Sequence, residues 1–438
     1  MLTNKQVIGI LSDTLSQVDP RLINHGKRVA YLVFKILEPE GRFDDKTLRD
    51  ICLAALLHDV GAYKTEEIDA MMVFETVDIW EHSIYGYLFL KHLSPLKELS
   101  QVVLFHHAEC RHISNLSPDH ALLSQLISLA DSVDIHTVFG RSTLEFRRNL
   151  EKWRDTYYTS EVVDLFLESG LNLSEIFNHM SHDEEFNRIL YDVPLTADEV
   201  NAYINMVAYS IDFRSSQTVI HTVATASVAC MLASLSGADE KEISQVRTGA
   251  MLHDLGKVAI PLHILESPNR LSEDEMKIMR EHVVISDNIL KNNVGEPIKS
   301  IAVNHHEKLN GTGYPNKLDR NSLTVFHRIM AVADIFSALC GTRSYKDAYP
   351  KSRVVGILEK MADDDAIDSD IVSLAIQHYE DLIEAQKKEA EPVILAYRDI
   401  KTEYLYIHNQ IGLCKHDSKG CSCKECTISK LYVKGGLR

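Results

Sequence analysis

The feature that most constrains this chain is a series of histidines and aspartates that runs through it twice in the same order. The first series is His25, His58-Asp59, His82, His106-His107 and Asp131. The second is His221, His253-Asp254, His282, His305-His306 and Asp334, at nearly the same spacing. Neighbouring residues repeat too: Leu56-Leu57-His58-Asp59-Val60-Gly61 matches Met251-Leu252-His253-Asp254-Leu255-Gly256, and Leu129-Ala130-Asp131 matches Val332-Ala333-Asp334. The match extends to Ser160-Glu161-Val162-Val163 and Ser369-Asp370-Ile371-Val372, so each copy is expected to end in a trailing helix.

The chain therefore reads as one module written twice, at 1–168 and 196–385, with a polar connector at 169–195. A helical extension at 386–412 and a Cys-rich tail at 413–438 follow. Apolar residues recur at helical spacing and alternating strand-like runs are scarce, which predicts an all-α fold of two tandem helical bundles. Helix starts are legible at Thr196-Ala197-Asp198-Glu199 and Ser272-Glu273-Asp274-Glu275, where a hydroxyl and a Glu three residues on can cap each other's backbone donors.

A lone histidine in an apolar helix is usually a satisfied core residue. A set of seven donors occurring twice is different, and imidazole with carboxylate suits iron, manganese or zinc. Adjacent ligands such as His253-Asp254 and His305-His306 diverge by about 100° on a helix and can serve two ions or two sides of one site. Two ions about 4 Å apart can share a water, lower its pKa and clamp phosphate oxygens, so phosphodiester hydrolysis is the natural chemistry.

In the second half, His253-Asp254-Leu255-Gly256-Lys257 leads into Val258-Ala259-Ile260-Pro261. Further on stand His305-His306-Glu307-Lys308-Leu309-Asn310-Gly311-Thr312-Gly313-Tyr314-Pro315, Ala333-Asp334-Ile335-Phe336-Ser337-Ala338-Leu339 and Arg343-Ser344-Tyr345-Lys346. This joint pattern, over roughly residues 208 to 385, resembles the HD-GYP branch of the HD superfamily of metal-dependent phosphohydrolases. The resemblance implies hydrolysis of cyclic di-GMP or a related cyclic dinucleotide such as cyclic GMP-AMP, giving a linear dinucleotide or mononucleotides. It makes His221, His253, Asp254, His282, His305, His306 and Asp334 metal ligands, with Asp254 bridging two divalent ions, iron or manganese. Lys257 would meet the scissile phosphate and neutralise charge growing there. Gly311, Gly313, Tyr314 and Pro315 would form a substrate-side loop, and Arg343 and Lys346 would contact phosphate.

Three residues depart from that pattern. Asn310 stands where Asp is usual, although Asn before Gly still favours the turn. Gln217, four residues before His221, and Ser337, three after Asp334, replace carboxylates of three-metal members, so two ions are expected rather than three.

The first series keeps every ligand, His25, His58, Asp59, His82, His106, His107 and Asp131, and is a second candidate metal site. Ala62 takes the place of Lys257, and no Gly-Tyr-Pro loop follows His106-His107. A regulatory or dimer-forming module is the first reading, an independent hydrolase the second and a redox-active di-iron sensor a third. Cys414, Cys421, Cys423 and Cys426 could hold zinc or an iron-sulfur cluster, though their spacing is not that of a zinc ribbon; an oxidisable tail is the plainer reading.

The formal charge of −17 argues against long nucleic acids as partners, since their binding draws on Lys and Arg; a small phosphate ester at a metal site is compatible with it. The longest apolar runs, such as Ile51 to Leu57, fall well short of the about 20 residues a membrane span needs, and Met1 to Asn4 opens no signal segment. A cytoplasmic protein without membrane contact is expected, as homodimer or with signalling proteins as partners. Two rivals stand beside the cyclic-dinucleotide phosphodiesterase. One is an HD hydrolase of nucleotides or alarmones, against which the Gly-Tyr-Pro loop speaks. The other is a weakly active ligand or redox sensor working through protein partners; against it, a mere scaffold has no need of seven polar residues in its core.

Overall fold

The computed structural model describes residues 2–18, 23–63, 80–138, 140, 143–173, 175–215, 219–267, 269–341 and 349–412. Gln217, Arg343, Lys346 and the cysteines of the tail lie outside them. Among the described residues the chain is helical; the β-pairing is confined to two isolated bridges, Arg154 with Tyr158 and Asn310 with Asp319. The all-α expectation holds. No helix of the described residues is long and apolar enough to cross a membrane.

The chain divides into two compact units: Asp19–Glu199 with the stretch from Asp399 onward, and Met1–Val18 with Val200–Arg398. Helix α1, Asn4–Ser16, thus belongs to the unit holding the second His/Asp series. It is anchored there by Asn293, whose Nδ2 donates to Asp13 at 2.7 Å.

In the other unit, α2 (His25–Leu37) packs on α3 (Asp45–Leu56). The chain then turns through Val60–Tyr63, against which α4 (Trp80–Leu93) lies, followed by α5 (Ser100–Leu104) and α6 (Pro118–Val138). Helix α6 returns to pack on α2. Two further helices, α7 (Thr143–Trp153) and α8 (Ser160–Glu168), complete the bundle. Val29, Leu32, Val33 and Phe34 of α2 are fully buried, which is the apolar stripe that drives this packing.

The polar stretch after α8 is a run of short helical turns rather than a free linker. Phe186 packs edge-on against Tyr31, with ring centroids 5.0 Å apart, and Asp183 accepts from Tyr31 Oη at 3.0 Å and Lys35 Nζ at 3.2 Å. Arg49, buried in α3, donates to the Pro194 carbonyl.

The second unit repeats the plan after α9 (Ala197–Asp212). Helix α10 (His221–Leu235) packs on α11 (Glu240–Leu252); a turn at Leu255–Ala259 lies against α12 (Glu273–Leu290), and α13 (Glu296–Val303) leads to α14 (Val325–Cys340), which returns to α10. Then come α15 (Lys351–Asp363), α16 (Ser369–Gln377) and the long α17 (Tyr379–Gly412). The expected caps are present: Thr196 pairs with Glu199 at 2.7 and 3.2 Å, and Ser272 with Glu275 at 2.8 and 3.3 Å. The copied trailing helix is present too, since α8 and α16 both open on the matched serine, behind Thr159 and Asp368 as caps.

Candidate metal centre

The ligand positions follow from where helices begin and end. His221 opens α10, and Asp212 at the end of α9 holds that start by accepting from Thr222 N and Thr222 Oγ1, each at 3.0 Å. His253-Asp254 lies just beyond α11, and His305-His306 just beyond α13, so both pairs sit in turns past helix ends rather than inside helices. His282 and Asp334 project from the middle of α12 and α14.

These elements bring the whole second series together. The ligand atoms of His221, His253 and Asp254 lie within 4.8 Å of one another, as do those of His282, His305 and His306. Asp254 straddles the two groups: Oδ2 is 3.6 Å from His221 Nε2 and 3.1 Å from His253 Nε2, while Oδ1 is 3.5 Å from His282 Nε2. Asp334 does the same, with Oδ1 at 3.1 Å from His221 Nε2 and Oδ2 at 3.8 Å from His306 Nδ1. The His253-Asp254 pair therefore reaches both groups through the two carboxylate oxygens, whereas His305 and His306 fall in one.

The histidines are oriented from behind. Nδ1–H donates to the carbonyl three residues back in His253 (Ala250, 2.7 Å), His282 (Met279, 2.6 Å) and His305 (Ala302, 2.6 Å), which turns each Nε2 lone pair inward. His253 Nε2 is buried with no hydrogen-bond partner, a costly state for a polar atom unless an ion is bound. Burial lowers the pKa of His282, lowers that of His306 to about 3, and with His306 and His253 holds His305 well below the usual value. Burial would raise Asp254, but His253 and Lys257 outweigh it and keep this carboxylate well below its ordinary range; His221 does the same for Asp334. Burial would lower the pKa of His253 too, but Asp254 outweighs it and raises it, so the three imidazoles held neutral are His282, His305 and His306; together with anionic carboxylates they offer the donors a divalent transition metal needs.

Gly256 sets the tight fit between the turn and α12: a Cβ there would stand 1.9 Å from the His282 carbonyl oxygen and 2.8 Å from Ser286 N. Ser286 Oγ completes the seam, accepting from Gly256 N at 2.9 Å and donating to the His253 carbonyl at 3.1 Å. Gly61 in the first copy meets the His82 carbonyl oxygen in the same way, at 1.9 Å. Gly256→Ala is expected to destabilise the module by about 3 kcal/mol, because backbone rather than a pliant side chain must move. Denaturant titration of the variant measures this, and an unchanged midpoint would refute it.

Lys257 Nζ lies 2.5 Å from Asp254 Oδ2. Burial would lower its pKa, but Asp254, Asp334 and Asp212 outweigh this and keep it charged. Arg214, buried beneath, donates to the carbonyls of Lys257 and Val258 and so fixes the turn. On the other side, Tyr314 packs against His306 with ring centroids 4.7 Å apart, and the exposed Arg280 guanidinium sits 4.9 Å from the Tyr314 ring centre. Buried Glu307 shapes the loop by accepting from Asn316 N at 2.6 Å and Leu318 N at 2.9 Å. Gly311 takes a φ of 73°, and a Cβ on Gly313 would stand 2.5 Å from Lys308 N. Asn310 has a use that Asp could not fill: its Nδ2 donates to the Asp364 carbonyl at 2.9 Å while Oδ1 accepts from Thr312 Oγ1 at 2.7 Å. Ser337 Oγ is occupied by Gln386 Nε2 at 2.8 Å.

Asp212, Arg214, Arg280, Ser286 and Glu307 escaped sequence reasoning. Only Glu307, next to the His pair, carried a positional hint; the others act through backbone or rings that no spacing reveals.

The first series also converges. His25, His58 and Asp131 form one group, and Asp59, His82, His106 and His107 another, each within 4.8 Å. Ala62 stands where the second copy has Lys257.

Residues 22–135 and 201–371 each match the HD domain family. The chain belongs to the HD-domain proteins, as a tandem of two HD domains of which the second is of the HD-GYP type. It is 34% identical over 208 residues to a 3'3'-cGAMP-specific phosphodiesterase 2 of Vibrio cholerae, covering 44% of this chain and 40% of that protein. It is 24% identical over 395 residues to a 3'3'-cGAMP-specific phosphodiesterase 1 of the same organism, covering 85% and 91%. The cyclic di-GMP phosphodiesterase response regulator RpfG of Xanthomonas campestris is 33% identical over 174 residues, 39% of this chain and 46% of that one. This chain thus spans less than half of the first and third relatives and nearly all of the second. Its fold is shared with a cyclic GMP-AMP-specific phosphodiesterase crystal structure from V. cholerae, at a TM-score of 0.54 and 17% identity over 88% of this chain and 98% of that one.

Proposed function

We propose that the second module hydrolyses a cyclic dinucleotide, 3'3'-cyclic GMP-AMP foremost, to a linear dinucleotide, with two divalent iron or manganese ions as cofactor. The convergence of the complete ligand series with Lys257 and Tyr314 carries this reading. Support for the substrate comes from the relative matched over nearly its whole length, which is named a 3'3'-cGAMP-specific phosphodiesterase.

His221 and His253 would hold one ion and His282, His305 and His306 the other, with Asp254 and Asp334 between them. When bound, the ions supply an activated water and neutralise phosphate charge. The protein's own part is to place cations and surfaces. Lys257, kept charged beside Asp254 and fixed through Arg214, meets charge developing on the phosphoryl oxygens. Tyr314, backed by His306 and flanked by Arg280, offers a ring and a neighbouring cation to a base or phosphate. Gly311 and Gly313 give this loop its close backbone path, and Pro315 continues it; Arg343 and Lys346 are proposed as further phosphate contacts. Ser337, bound to Gln386, brings no third carboxylate, which supports two ions rather than three.

The test is incubation of the reduced, manganese- or iron-loaded full chain with 3'3'-cyclic GMP-AMP and, separately, cyclic di-GMP. Release of the linear product, faster from the first, is expected. Turnover of neither would sink the proposal.

A further inference from the structure

The hydrolase reading uses only the second module, yet the first keeps its own ligand series in a more closed setting. Asp59 straddles two groups there: Oδ2 is 3.6 Å from His25 Nε2 and 3.3 Å from His58 Nε2, while Oδ1 is 3.7 Å from His82 Nε2 and 3.8 Å from His106 Nε2. His58 Nε2, His106 Nε2 and Asp59 Oδ1 are buried without a hydrogen-bond partner. The rings cannot turn to relieve this, because His58 Nδ1 is committed to the Ala55 carbonyl at 2.7 Å and His106 Nδ1 to that of Val103 at 2.6 Å. Buried acceptors without a donor, here divided between the two groups that could each hold an ion, are costly unless ions meet them.

A residue outside the repeated series sharpens the case. Asp134, 1% exposed, accepts from His25 Nδ1 at 2.7 Å and from Arg28 Nη2 at 2.8 Å. Histidine backed by a carboxylate is a stronger and better oriented metal ligand. In the second copy the corresponding position is Ser337, occupied by Gln386, so His221 has no such backing from α14. The side chains of His25 and Asp131 are each 5% exposed, against 15% and 11% for their counterparts His221 and Asp334, while Asp59 and Asp254 are both nearly buried at 9% and 5%.

We propose that the first module holds its own resident pair of divalent transition-metal ions, fixed by Asp134 through His25 and unable to hydrolyse a phosphodiester. Ala62 stands in place of the lysine and no Gly-Tyr-Pro loop follows His106-His107, so the lysine and tyrosine proposed to meet phosphate in the second module have no counterparts at these positions. The pair ties α2, α3, α4 and α6 together, and its burial keeps it in place when the more open centre of the second module is stripped.

Metal analysis tests this without any substrate. The reduced full chain, loaded with manganese, should carry about four ions, and about two after dialysis against a chelator, if each module holds a two-ion centre. Asp254→Ala should still carry the two chelator-resistant ions. Asp134→Asn should weaken the binding of those two by about 10- to 100-fold, leaving the second module's ions unaffected. A wild-type protein that binds only two ions, all lost in Asp254→Ala, would overturn the proposal, as would loss of every ion to the chelator. Should Asp134→Asn fail to fold, the counts for the wild type and Asp254→Ala decide alone. Failure of the hydrolase reading would appear instead as absent turnover with the metal content intact.

Discussion

Asp254→Ala is expected to abolish hydrolysis of the cyclic dinucleotide, by more than about 1,000-fold, together with the ions of the second module. Like Asp334, this carboxylate turns its oxygens to both halves of the ligand set, at 3.1 and 3.6 Å on one side and 3.5 Å on the other, and it alone of the two also pairs with Lys257 among the described residues. Alanine takes this anion from His221, His253 and His282, leaves Asp334 to face His221 and His306, and leaves Lys257 without its 2.5 Å partner. The buried Lys257 ammonium then loses its main counter-charge, and neither ion keeps its full coordination. Metal content and turnover, measured on the same preparation, check this; a variant retaining both would remove the basis for a shared centre.

Lys257→Met should leave the ions in place and lower kcat by about 100- to 1,000-fold, equivalent to roughly 3 to 4 kcal/mol of transition-state stabilisation. Methionine keeps most of the stem's volume and removes only the charge. Lys257 lies outside the histidine groups that could hold the ions, so metal binding has no reason to fail. The ammonium's role arises as charge grows on the phosphate, which places the loss in kcat rather than KM. A large rise in KM at unchanged kcat would instead make Lys257 a simple binding residue. The first module makes the same point by comparison, since it has the carboxylate and the histidines but alanine at this position.

The site was legible to an unusual extent because donor chemistry restricts residue type. Few residues other than His and Asp can present a lone pair to a buried ion, so the requirement is written directly into the chain and repeats with the module. Helix caps at Thr196 and Ser272 were legible for a related reason, being contacts over three residues. The supporting layer was not. Arg214 holds Lys257 and Val258 through their carbonyls, which every residue possesses, and Asp134 reaches His25 across more than a hundred residues.

By itself the sequence determined the helical class, the duplication, the histidines and aspartates that converge in each copy and the presence of a lysine after the His-Asp pair in only one of them. These follow from periodicity and from the chemistry of the side chains. Tertiary structure alone decided that α1 packs with the second series, that the polar stretch after α8 is held by Phe186 and Asp183, and that the two histidine groups share an aspartate. The physical reason is that such contacts depend on which surfaces meet after the helices have formed. A chain specifies that outcome through the sum of many burials, with no local pattern to announce it.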